Sequence, residues 1–154
     1  MAGTQTTQAA PASAPHKAPP SLLYMVKQVE LVVRSHLDEL VKPSGITALQ
    51  YTALTVLERH DGLSAAQLAR DSFVTAQSIA DLVRSLESRG LIRRERNPRN
   101  RRELLIMLTE EGRALLARHA GPVRDLEERM VRDLTDRQAD QFRLALSKAW
   151  HALS

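Results

Sequence analysis

Fourteen residues, Arg89 to Arg102, concentrate the side chains best suited to bind something. The stretch RGLIRRERNPRNRR holds seven arginines, at 89, 93, 94, 96, 99, 101 and 102, against one acid, Glu95. Its net charge is +6 while the whole chain carries +4, so everything outside it sums to −2. Guanidinium groups keep their proton and donate in a planar fork to phosphate or carboxylate. A local excess of them points to a polyanionic partner. Bond-making chemistry has no such concentration. The five histidines (16, 36, 60, 119 and 151) show no metal-ligand spacing and read as surface or core residues. No Ser-His-Asp set or phosphate loop is present, and the absence of cysteine removes thiol nucleophiles, thiolate zinc sites and disulfides. Glu110-Glu111 and Glu127-Glu128 read as solvated helix charge. The expectation is a binding protein with no catalytic residues, metal or cofactor.

The charged stretch has a shape. Asn97-Pro98 is a turn signal. Leu91-Ile92 on one side and Leu104 to Leu108 on the other supply apolar runs for the two legs of a hairpin, 91–108. What positions that hairpin must be mostly helical. Aromatic content is 3 %, so a core drawn from the 43 % hydrophobic residues is built from Leu, Val, Ile and Ala, which suits packed helices. Residues 1–20 hold four of the seven prolines and no Leu, Ile, Val or Phe, and are expected to be a disordered tail rather than a signal peptide. No run approaches the roughly 18 apolar residues of a membrane helix. Together with the lack of cysteine, this fits a cytoplasmic protein.

From Ser21 to Val41, Leu22, Leu23, Val26, Val29, Val33, Leu37 and Leu40 recur at helical spacing, broadened by Leu31, Val32 and Val41. So wide a stripe reads either as a central core helix or as a helix that also faces a partner subunit. Pro43-Ser44-Gly45 ends it. Thr47-x-x-Gln50 and Ser64-x-x-Gln67 are capping boxes that open two further helices. The first has Leu49, Ala53, Leu54 and Leu57 as core positions and stops at Asp61-Gly62; the second, short, buries Leu68 and Ala69. Thr75 caps a helix reaching Arg89 and closed by Gly90. Ile79, Leu82, Val83 and Leu86 form its apolar side; Gln77, Ser78, Asp81, Arg84 and Ser85 face away. Two helices joined by a turn of about three residues form a helix-turn-helix. Thr109-Glu-Glu-Gly opens a long helix with apolar positions Leu115, Leu116, Leu126, Met130 and Leu134, and Gly121-Pro122 is expected to bend or break it. Thr135-x-x-Gln138 caps the last helix, striped by Phe142, Leu146, Ala149 and Leu153 with Trp150 beside them. Residues 109–154 carry eight basic and eight acidic side chains. A neutral striped segment of that kind packs on something rather than binding a polyanion.

This order of elements is a mostly α (α+β) winged helix-turn-helix with helices at both ends. The stretch VTAQSIADLVRSLESRGLIRRERNPRNRRELLIMLTEEGRALL resembles the core of the multiple-antibiotic-resistance regulator (MarR) family. Leu86-Glu87-x-x-Gly90-Leu91-Ile92-x-Arg94 carries the likeness, followed by Asn97-Pro98-x-Asn100-Arg101-Arg102 and then Leu108-Thr109-x-x-Gly112. After the disordered tail (1–20), the resemblance implies an N-terminal dimerisation helix (21–45), a DNA-binding lobe (46–112, with recognition helix 75–89 and wing 91–108) and C-terminal dimerisation helices (113–154). It further implies a homodimeric regulator, a repressor or an activator, on a pseudo-palindromic double-stranded DNA operator. Thr75, Gln77 and Ser78 would face the major groove, Gln77 pairing with adenine. Ser64, Arg84 and Arg89 would meet phosphates, and Arg101, flanked by Arg99 and Arg102, would enter the minor groove. Asp81 would accept from cytosine or hold Arg84 or Ser85. Relatives often carry Asp where this chain has Asn97 and Asn100, which removes an ion pair from the wing tip. Members of the family commonly bind a small aromatic or phenolic anion between the dimerisation helices and the DNA lobe, where His36 and Tyr51 fall by position. The competing reading is a winged-helix interaction module whose arginines hold an acidic protein partner without sequence-specific DNA binding.

Overall fold

The computed structural model describes residues 18–154. The expected tail therefore lies outside the described residues, apart from 18–20, which are exposed and without regular structure. Six helices and three strands follow: α1 (Leu22–Val41), α2 (Ala48–Arg59), β1 (Leu63–Ser64), α3 (Ala65–Asp71), α4 (Ala76–Ser88), β2 (Ile92–Asn97), β3 (Asn100–Leu108), α5 (Glu110–Val131) and α6 (Asp136–Leu153). All three capping boxes form, with Thr47, Ser64 and Thr135 each accepting from the backbone N–H three residues on while the Gln side chain answers the cap. Each satisfies two of the donors that a helix start leaves free. Thr75 and Thr109 cap α4 and α5 through Ser78 N and Gly112 N.

The core is continuous. Val41, Ile46, Ala53, Leu54 and Leu57 meet Leu68, Leu82, Val83 and Leu86, and Ile92, Ile106, Leu115 and Leu116 close it from the sheet and α5. Leu49, assigned above to the core, is exposed instead; Tyr51 takes a buried place on α2. The short strand β1 was not legible in the pattern. It pairs antiparallel with β3, Leu63 opposite Ile106, giving a three-stranded sheet in the order β1-β3-β2. Asp61 pins its base, accepting from Leu108 N at 2.8 Å and from Arg113 Nη2 at 2.9 Å.

The spaced glycine motif at the base of the hairpin has a mechanical cause. Gly90 turns with φ +70° after α4, where a side chain would be strained. Thr109 Oγ1 donates to the Gly90 carbonyl at 2.6 Å, and Thr109 N to the Leu91 carbonyl at 3.2 Å. Gly112 packs so tightly against this crossing that a Cβ there would fall on the Leu91 carbonyl oxygen and 2.6 Å from Leu108 Cδ1.

The break expected at Gly121-Pro122 does not occur: α5 is one helix of 22 residues with Pro122 inside it. Proline removes a single backbone donor. Buried His119 before it and core-packed Val123 after it anchor the helix on both sides. Leu134, assigned to this helix above, lies beyond its end. Among the described helices, the two terminal ones are the least buried. Only Val41 of α1 is buried and nothing on α6 is. Leu22 and Leu23 are each 80 % exposed, and Val26 and Val29 of α1 and Phe142 and Leu146 of α6 are exposed as well. Within a single chain, then, α1 is not the enclosed core helix of the first alternative.

Candidate nucleic-acid interface

Helix α4 has two unlike faces. Ile79, Leu82, Val83 and Leu86 are buried, and this alone fixes which side looks outward. Thr75, Gln77, Ser78, Asp81 and Arg84 are all exposed. Thr75 Oγ1 accepts from Ser78 N at 3.1 Å and donates to Ser78 Oγ at 3.0 Å, so the helix start is a compact cluster of small hydroxyls. Gln50 carries the other end: its Nε2 donates to Ser85 Oγ at 3.0 Å, tying α4 to the start of α2. Ser64 spends its hydroxyl on the α3 cap and is half-buried.

The arginines divide by what they touch. Arg84 Nη1 donates to Asp81 Oδ1 at 2.8 Å, so of the two roles left open for Asp81 the side chain takes up the holding of Arg84. Arg89 turns back toward the Ser44 carbonyl, 3.4 Å from Nη1. Arg93 pairs with Glu95. Arg94 forks onto Glu87, Nε to Oε1 at 3.1 Å and Nη2 to Oε2 at 2.5 Å, joining the end of α4 to the first leg of the hairpin. That fork holds the Glu87 carboxyl below the ordinary carboxylate range and the Arg94 guanidinium above its own, the side-chain hydrogen bond being the larger cause of each. The motif pair Glu87 and Arg94 is therefore a brace between helix and wing. Arg96, Arg99, Arg101 and Arg102 remain, exposed and in no ion pair among the described residues.

The tip is ordered by its own asparagines and Glu103. Arg96 pairs with Leu104, but Asn97 pairs with Asn100, so residues 101–103 have no counterpart on β2. Such a bulge re-aims its side chains, here Arg101 and Arg102. Asn97 Oδ1 accepts from Arg99 N at 2.9 Å and Asn100 Oδ1 from Arg102 N at 3.2 Å, each a local side-chain turn. Asn97 Nδ2 donates to Glu103 Oε2 at 2.6 Å. Glu103 thus holds the tip through a charged hydrogen bond, a role the sequence did not disclose.

The two residues expected to line a ligand site line no common cleft among those described. His36 borders two clefts between α1 and α5: one of about 330 Å³ with Leu40, Pro122, Asp125 and Arg129, the other of about 460 Å³ with Val29, Val33, Met130, Arg129 and Arg132. Arg129 Nη2 lies 3.4 Å from His36 Nε2. Tyr51 borders neither. It is a core residue, edge-on to His119 at 6.2 Å, and burial pushes its phenol above the usual range, with the Glu58 charge adding to the effect. A larger crevice, about 600 Å³, runs between α1, α2 and the turn of the helix-turn-helix. Ser72, fully buried with an unpartnered hydroxyl, and Phe73 lie in its wall.

A helix-turn-helix followed by an arginine-tipped hairpin wing defines a winged-helix DNA-binding protein. Residues 44–103 match the profile of the MarR family. Rv2887, an HTH-type transcriptional repressor of Mycobacterium tuberculosis (strain H37Rv), is 34 % identical over 125 residues, covering 81 % of this chain and 90 % of that protein. Its crystal structure in complex with p-aminosalicylic acid superposes with a TM-score of 0.69 at 32 % identity, over 84 % of this chain and 98 % of that one. The transcriptional repressor CouR, bound to a 23-mer DNA duplex, gives a TM-score of 0.75 at 29 % identity, over 84 % and 92 %. The chain belongs to the MarR family of DNA-binding transcriptional regulators.

Proposed function

We propose that the protein is a homodimeric repressor that binds a pseudo-palindromic operator and is released by a small aromatic anion. The observation that carries this is the pairing of one exposed polar helix start with four unpaired wing arginines on the same lobe. A helix N-terminus bearing Thr75, Gln77 and Ser78 brings small donors and acceptors to base edges in the major groove. Arg99, Arg101 and Arg102 at a protruding tip suit a narrow, electronegative minor groove. Ser64, Arg84 and Arg89 meet phosphates, Arg84 and Arg89 after loosening their present contacts. A second copy covers the open apolar faces of α1 and α6, and sets the spacing of two recognition helices along the DNA. The relative that is a repressor and the one seen on a DNA duplex support this reading.

For the effector, the α1–α5 cleft combines His36, Arg129 and Arg132 with Val29, Val33 and Met130, which suits an aromatic ring carrying a carboxylate. The larger crevice sets Glu30 and Asp38 against Arg34 and suits an anion less. Selection of bound fragments from genomic DNA, followed by salt titration of the winning site, tests the function. A two-fold symmetric site with steeply salt-dependent affinity is expected. Equal affinity for all duplexes would reject it in favour of an acidic protein partner. Adding salicylate to the complex, with Arg129→Ala as control, tests the release.

A further inference from the structure

Phe73 stands where backbone physics asks for glycine. Val74 N donates to the Ala69 carbonyl at 2.9 Å and Phe73 N to the Arg70 carbonyl at 3.4 Å, the paired bonds of a helix that ends by reversing through a left-handed residue. Phe73 is that residue, with φ +60°. The three other positive-φ positions among the described residues are all glycines. A bulky side chain in this conformation is an outlier that persists when something else holds it. Core packing does not hold it, since Phe73 is 68 % exposed. Its ring meets Trp150 of α6 edge-on, centroids 5.2 Å apart at 83°, an arrangement that aromatic quadrupoles favour. Trp150, half exposed, is the only tryptophan in the chain. The contact joins the turn just before α4 to the far end of a helix that has no buried residue in its own chain.

We propose that Phe73 and Trp150 form a clasp that positions the recognition helix. Helix α4 starts three residues after Phe73, so fixing Phe73 to α6 fixes the start of α4 relative to the terminal helices. The proposal rests on α4 being the helix that reads DNA. Both are positioning residues and neither touches a base. The crevice beside Ser72 also opens on Phe73, so an occupant there would press on the clasp.

The substitution Phe73→Gly tests it cleanly, because glycine suits the left-handed backbone and the fold is retained. Trp150 emission is expected to shift to longer wavelength. Operator affinity is expected to fall about two- to tenfold, the worth of one aromatic pair, with affinity for an unrelated duplex unchanged. Trp150→Ala should give the same loss and Trp150→Phe should retain wild-type affinity. Wild-type emission in Phe73→Gly would show that the clasp does not exist in solution. Shifted emission with undiminished operator affinity would show a contact that positions nothing. If the unaltered chain selects no operator, the DNA reading itself fails and the positioning role falls with it, while emission still reports whether the rings meet.

Discussion

Asn97→Asp is the substitution that tests the wing tip most sharply, because it replaces one donor by a charge and should weaken binding. Asp keeps the acceptor that holds Arg99 N but loses the donor to Glu103, now 2.6 Å away and half-buried. The lost hydrogen bond, made to a charged group, is worth about 1.5–3 kcal/mol. The new carboxylate faces that of Glu103, and even after the two swing apart to about 4 Å in a water-like medium they repel by about 1 kcal/mol. The tip is thus disfavoured by about 2.5–4 kcal/mol, which caps the loss of operator affinity at roughly 700-fold if all of it is expressed in binding. A competing cause is repulsion between the added charge and the DNA. The double substitution Asn97→Asp with Glu103→Gln separates the two: it restores the hydrogen bond with donor and acceptor exchanged and returns the net charge to that of the original chain. Fluorescence anisotropy on an operator duplex at fixed salt should show a large loss for the single variant and recovery of most of it in the double. A double variant as weak as Asn97→Asp would refute the matched Asn97–Glu103 pair.

Arg101→Ala should weaken operator binding and lower its salt slope by about one counterion without moving the thermal midpoint, since Arg101 is exposed and unpaired; unchanged affinity in a titration would remove it from the wing contact. Gln77→Ala should alter which sequences are selected more than how tightly bulk DNA is held, and an unaltered preference would remove it from the base readers. The Glu87 carboxyl is held below its usual range in the fold by Arg94. The support it gives the brace is therefore complete above the ordinary carboxylate range and is lost as the pH falls through the depressed value. Glu87→Gln should abolish that acid-limb sensitivity in a wing-reporting amide signal, and an unchanged acid limb would refute the brace. Gly112→Ala drives a methyl into the Leu91 carbonyl and should destabilise the fold by roughly 1–3 kcal/mol in denaturant unfolding; full stability would mean that the crossing is looser than described.

Much of the architecture was legible because it is written locally. The capping boxes at Thr47, Ser64 and Thr135, the turn at Asn97-Pro98 and the i, i+3, i+4, i+7 spacing of Ile79, Leu82, Val83 and Leu86 each depend on residues within about two helical turns of one another. Signals of that range survive in a one-dimensional reading. They also gave the outward face of α4 in advance, because burying one side of a helix determines the other. Leu49 failed for the complementary reason: it fits the period of α2 but sits at its first turn, where no neighbouring element covers it.

The composition and spacing of the chain determined its helices, its hairpin and the basic tip, since these follow from backbone propensity and side-chain period alone. Only the tertiary structure decided how the seven arginines divide. Arg94 belongs to Glu87, Arg93 to Glu95 and Arg89 reaches back to the Ser44 carbonyl, leaving Arg96, Arg99, Arg101 and Arg102 in no ion pair among the described residues. Strand β1 exists because Leu63 and Ser64 find an edge of β3, and α5 continues through Pro122 because packing on both sides outweighs one missing donor. The meeting of Phe73 with Trp150 spans 77 positions of sequence that no local pattern links. In each case the deciding partner lies far along the chain, and a contact energy acts only once folding has brought its two halves within a few ångströms.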